Sequence, residues 1–151
     1  MSENIFAKKG SFISLEQFAR SVFHDLKFGN IEEHRSANYW GEQYFMAYAG
    51  DISLTVALAD ESGFEDYDYW ISIKGAEHGP GSIQANVIGD ELACRLTVNG
   101  FEVARPYSKE DWLFRKPIVR RIVYRKKPTT GDENADTREQ VETAVEEIPV
   151  A

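Results

Sequence analysis

The chain has 151 residues, 42% of them hydrophobic and 13% aromatic, which is enough for one domain to bury a core without staples and too much for a disordered chain. Its formal net charge of −8 disfavours nonspecific nucleic-acid binding by the whole surface, since phosphate contacts need an excess of Lys and Arg. No apolar run is long enough to cross a bilayer, the first ten residues lack the pattern of a secretion signal, and Cys94 is the single cysteine, so a cytoplasmic, reducing setting is expected.

In chain order, Ser14-Leu15-Glu16-Gln17 is a capping box, in which serine and glutamine side chains satisfy backbone donors at a helix start. Leu15, Phe18, Ala19, Val22, Phe23 and Leu26 follow at spacings of three and four, predicting an amphipathic helix that Gly29 can end. Beyond it the hydrophobic period falls to two, the signature of half-buried strands. Residues 43–49 and 52–58 flank Gly50-Asp51 and predict a hairpin. In that register Phe45, Ala47 and Ala49 share a face with Ile52, Leu54 and Val56, while Tyr44, Met46 and Tyr48 point the other way. Residues 69–74 read as a third strand. Ile83, Ala85 and Val87 alternate up to Gly89-Asp90, and Leu92, Cys94, Leu96 and Val98 alternate up to Asn99-Gly100, before Phe101 and Val103. Two-residue turns at those glycines predict a three-stranded meander.

Ser108-Lys109-Glu110-Asp111 resembles a second helix start, with Trp112, Leu113 and Phe114 as anchors and Pro117 as a stop. Residues 118–124 are rich in β-branched side chains and read as the last strand. From Pro128 onward there are seven acids and one base, which sets a boundary between one domain over 1–127 and an acidic, flexible tail over 128–151. Within the tail, Thr137 and Gln140 could cap a short helix carrying Val141, Ala144, Val145 and Ile148. The expected fold is α+β: an N-terminal helix on an antiparallel sheet of about six strands, a short second helix and the acidic tail.

The least ordinary segment is Asp60 to Trp70, with five acids in nine residues followed by aromatics. Closely spaced carboxylates beside flat rings could bind a basic partner, Glu65, Asp66 and Asp68 steering association and Tyr67 and Trp70 anchoring it. The same residues also read as a solvated loop whose last aromatics enter the core. Tyr44 and Tyr48, with Tyr39, Trp40 and Met46, form an aromatic strip that is either a partner surface or a second core face. Arg115, Arg120, Arg121 and Arg125, interleaved with Trp112, Phe114 and Tyr124, could bind phosphate. The favoured reading is of charges that blunt an edge strand or of a dock for the acidic tail or acidic loop.

Nothing in the spacing of His24, His34 and His78 makes a metal site, and Cys94 has no neighbouring base, so neither enzyme chemistry nor a cofactor is expected. The approach Tyr39-Trp40-Gly41-Glu42-Gln43-Tyr44, the Gly-Asp hairpin and Glu65-Asp66-Tyr67-Asp68-Tyr69-Trp70-Ile71-Ser72-Ile73 together resemble small cytosolic immunity proteins of bacterial toxin systems, over about residues 37–75. That resemblance implies a non-enzymatic inhibitor of a cognate toxin or nuclease and transfers no catalytic residue. The alternative is a nucleic-acid-binding accessory protein using residues 112–127, with the acidic tail as an internal competitor.

Overall fold

The computed structural model describes residues 2–10, 13–37, 42–61, 63–75, 80–107, 118–127 and 137–149. Among these residues, two helices and eight strands make an α+β fold around one antiparallel sheet of order β2-β3-β4-β5-β1-β6-β7-β8. The strands are β1 (Ser2–Lys8), β2 (Glu32–Arg35), β3 (Gln43–Ala49), β4 (Ile52–Leu58), β5 (Tyr69–Lys74), β6 (Glu102–Pro106), β7 (Ile118–Lys126) and β8 (Val141–Pro149).

Helix α1 (Leu15–Asp25) starts on the expected capping box: the Gln17 amide donates to Ser14 Oγ and the Ser14 amide to Gln17 Oε1, both at 3.2 Å. Its apolar stripe, Leu15, Phe18, Ala19, Val22 and Phe23, is buried against the sheet, where Phe18 stacks on Tyr69 at 4.1 Å between ring centroids. The helix stops before Gly29. The amides of Lys27 and Phe28 donate to the carbonyls of His24 and Phe23, a Schellman ending in which Lys27 takes φ 59°.

The β3–β4 hairpin forms in the expected register, with Phe45 opposite Val56 and Ala47 opposite Leu54, around Gly50 at φ 61°. The meander does not form. Residues from Pro80 to Val98 are a single helix, α2, because Ala85, Ile88, Leu92, Ala93 and Leu96 also satisfy the helical period and bury one face. The two glycines taken for hairpin turns have other roles. A Cβ on Gly89 would lie 3.2 Å from the Arg105 guanidinium, so this helical glycine makes room for a side chain from β6. Gly100, at φ 97°, ends α2 as Lys27 ends α1: its amide donates to Thr97 and that of Phe101 to Leu96.

Three strands, β1, β2 and β8, lie where none is expected, and the sheet has eight described strands rather than about six. β1 lies between β5 and β6 in the centre of the sheet, and β2 forms one edge. The stripe from Val141 to Ile148 is not a helix. Apart from a 3-10 turn at Thr137–Gln140, it is strand β8, paired along its length with β7 at the other edge. The short helix expected from Ser108 lies outside the described residues.

Both helices cover one face of the sheet and enclose the main core, which includes Ile5, Phe45, Leu54, Ile71, Ile73 and Val103. On the opposite face one row of directly paired residues crosses all eight strands: His34, Tyr44, Ala57, Trp70, Phe6, Ala104, Val123 and Ala144. The centre of that second face is covered by the loop from 59 to 68, which packs Phe64 and Tyr67 on Phe6, Ala104 and Val119.

Candidate interaction surface

The acidic and aromatic loop is largely consumed by the fold. Phe64 is fully buried and stacks on Phe6 with centroids 4.0 Å apart, and Tyr67, expected as an anchor for a partner, is 6% exposed. The Ala59 amide donates to the Asp68 carbonyl and the Asp68 amide to that of Ala7, tying both ends of the loop to the sheet. Gly63 sits at φ 89° where a Cβ would meet the Val119 side chain at 3.1 Å. Asp66 receives two hydrogen bonds from Arg121, at 2.9 and 3.1 Å. Trp70 is half-buried and its indole N–H donates to Asn4 Oδ1 at 3.0 Å. Asp66, Tyr67 and Trp70 therefore close the second face. Glu65 and Asp66 are both exposed, but Asp66 is held by Arg121 whereas Glu65 only accepts from the Gly63 amide, and Asp68 is half-buried.

Arg121 is the centre of this closure. Its side chain is 5% exposed and also donates to the Gly63 carbonyl and to Glu146 of β8, with its guanidinium over the Phe64 and Tyr67 rings. Burial alone would raise the Asp66 carboxyl, but the hydrogen bonds and charge of Arg121 outweigh it and hold the group below its ordinary value. Burial likewise pushes the Tyr67 phenol up, to about 12, with Arg121 opposing and nearby acids adding to the rise.

The basic strand is similarly engaged. β8 sets Glu147, Glu146 and Glu142 directly opposite Arg120, Arg121 and Arg125, so the acidic C-terminal segment docks on β7, as one of the readings of those charges anticipated. Arg120 lies over the Tyr107 ring at 4.7 Å, and Arg125 reaches Glu146 at 4.0 Å. Arg115 lies outside the described residues.

Among the described residues, what remains facing outward on the second face is the flank formed by β2 to β5. The alternation along β3 that sends Phe45 and Ala47 into the core turns Tyr44, Met46 and Tyr48 away from both helices. Tyr48 is 52% exposed, and Tyr44 and Met46 are half-buried. His34 stacks on Tyr44, centroids 5.1 Å apart, which fixes one end of the strip. Tyr39 and Trp40 lie outside the described residues. This stretch is strongly acidic: residues 32–75 hold nine acids and two bases, a net −7, beside a net −6 from residue 128 onward and a net +5 over the rest of the chain. Sequence alternation located this strip, but only the packing of the 59–68 loop separates it from the aromatics that turn inward.

Other groups are occupied in holding the fold. A cleft of about 430 Å³ between α2 and the last three strands is lined by Asn86, Asp90, Arg105, Tyr124 and Thr143, among others. Arg105 is paired there with Glu3 at 2.9 Å, and Tyr124 donates to Asp90, linking β1, β6, β7 and α2. No three His, Cys, Asp or Glu side chains converge as a metal site among the described residues. Cys94 is buried, His24 is exposed on α1, and His78 lies outside the described residues. No described helix is long and apolar enough to cross a membrane. Comparison with protein families, characterised proteins and solved structures finds no match.

Proposed function

We propose that the chain is a non-enzymatic binding protein that docks a basic protein on the β2–β5 flank of its sheet. The observation that carries this reading is the outward strip of Tyr44, Met46 and Tyr48 on a stretch of the chain with a net charge of −7. Tyrosine supplies a large rigid contact area with a polar tip, and surrounding carboxylates speed encounter with a cation-rich surface. The loop carrying Asp66 and Tyr67 is assigned to the fold, because those two side chains are already engaged. An inhibitor or immunity protein occluding a basic toxin, nuclease or defence effector is the most specific form of this reading, and its support is the resemblance over residues 37–75. Nucleic-acid binding through β7 has less support, since Arg121 is buried and Arg120 and Arg125 face carboxylates of β8.

The experiment is capture from a lysate of the native cell by the immobilised chain, comparing wild type with Met46→Ala/Tyr48→Ala and with Glu65→Gln. A basic protein retained by wild type and Glu65→Gln, lost by the double variant and released by salt, supports the reading. Retention that the double variant leaves unchanged overturns it.

A further inference from the structure

The outer edge of β8 is a second surface of stated preference. β8 ends the sheet, so the backbone groups on its far side have no strand partner among the described residues. It is nine residues long, and its one proline, Pro149, is its last residue. Edge strands usually carry a defence against pairing, such as shortness, proline or charge. Here the defence is charge of one sign only. Glu142, Glu146 and Glu147 would oppose a second copy of themselves, but would attract a strand of the opposite sign. Glu142 and Glu147 make no ion pair among the described residues, and Val145 is 55% exposed between them.

The chain itself contains the strand that fits. On the inner edge β7 places Arg125 opposite Glu142, Ile122 opposite Val145, Arg121 opposite Glu146 and Arg120 opposite Glu147. Side chains of a strand lie above and below the sheet rather than along its edges, so the same carboxylates and the same valine flank the outer side as well. We propose that the outer edge of β8 binds a basic, extended segment of a partner by strand addition, with Arg or Lys opposite Glu142 and Glu147 and an aliphatic side chain opposite Val145. This surface is separate from the β3 strip and shares with the reading above only the basic partner.

The probe is a fluorescent peptide with the sequence of residues 118–126, IVRRIVYRK, titrated into the full chain and followed by anisotropy, with amide shifts mapped by NMR. Saturable binding, shifts centred on 141–149, and an affinity at least tenfold weaker for Glu142→Lys/Glu147→Lys than for wild type are expected. Both positions are exposed, yet each new lysine faces Arg125 or Arg120 of β7, so Glu142→Gln/Glu147→Gln, which only removes the charges, is measured beside it and should also bind more weakly with an amide spectrum that shows β8 in place. Unchanged affinity in the variants, shifts confined to residues 32–58, or no binding at low salt overturns the proposal. Concentration-dependent dimerisation through β8 also overturns it, because the occupant is then a second copy. Loss of this binding leaves the Met46→Ala/Tyr48→Ala experiment unaffected, so the two readings fail separately.

Discussion

Arg121 and Asp66 are 55 residues apart in sequence, yet both terminal nitrogens of the guanidinium hold the two carboxylate oxygens. The pair fastens the 59–68 loop to β7, and Glu146 adds a second carboxylate from β8. Its removal is asymmetric. The double variant Asp66→Asn/Glu146→Gln strands a buried cation and should cost about 3–5 kcal/mol in urea unfolding. Arg121→Met should cost less, because the two released carboxylates lie near the surface, with side-chain exposures of 49% and 36%.

Acid stability follows from the same contact. The Asp66 carboxyl is held below its ordinary value in the fold, so its contribution is fully present above the unfolded pKa of about 3.9 and is lost as pH falls through the folded value. The stability gap between wild type and Asp66→Asn should be constant near neutrality and should close below about pH 4. A gap that persists unchanged at low pH would contradict this assignment.

At the alkaline end Tyr67 is the reporter. Its phenol, pushed up to about 12, stays neutral in the fold while the unfolded phenol ionises near 10. Stability from this residue is present below about pH 10 and is lost as pH rises through the folded value. Burial also raises the Tyr69 phenol, so ultraviolet titration should show a late-ionising fraction that Tyr67→Phe reduces and does not abolish.

The two Schellman endings make a matched pair. Lys27 occupies at φ 59° the position that Gly100 occupies at φ 97°, and a left-handed conformation costs an L-residue about 1–2 kcal/mol. Lys27→Gly should raise stability by about 1 kcal/mol and Gly100→Ala should lower it by a similar amount, both read from thermal midpoints.

These two endings also show what was legible beforehand. The capping box of α1 and the Gly50 hairpin are local, and short-range patterns identify them. α2 differs from the expected meander because Ala85, Leu92 and Leu96 fit a period of two as well as the helical one, and because positive φ at Gly100 serves a helix end as readily as a hairpin. Gly89 is explained only by Arg105, sixteen residues away on β6. β1 lacks a clean alternation because a central strand buries both faces: Ile5, Phe6 and Ala7 are all fully buried. For the candidate surface, alternation placed Tyr44 and Tyr48 on one side. Nothing local could show that Tyr67 turns inward and that Asp66 meets Arg121.

The central position of β1 also bears on synthesis. β1 leaves the ribosome well before its neighbours β5 and β6, so its first pairing waits for residue 74 and the centre of the sheet is completed only when residue 106 has emerged. Such distant pairing slows folding, and the nascent chain must keep Ile5 and Phe6 out of other associations until β5 is available.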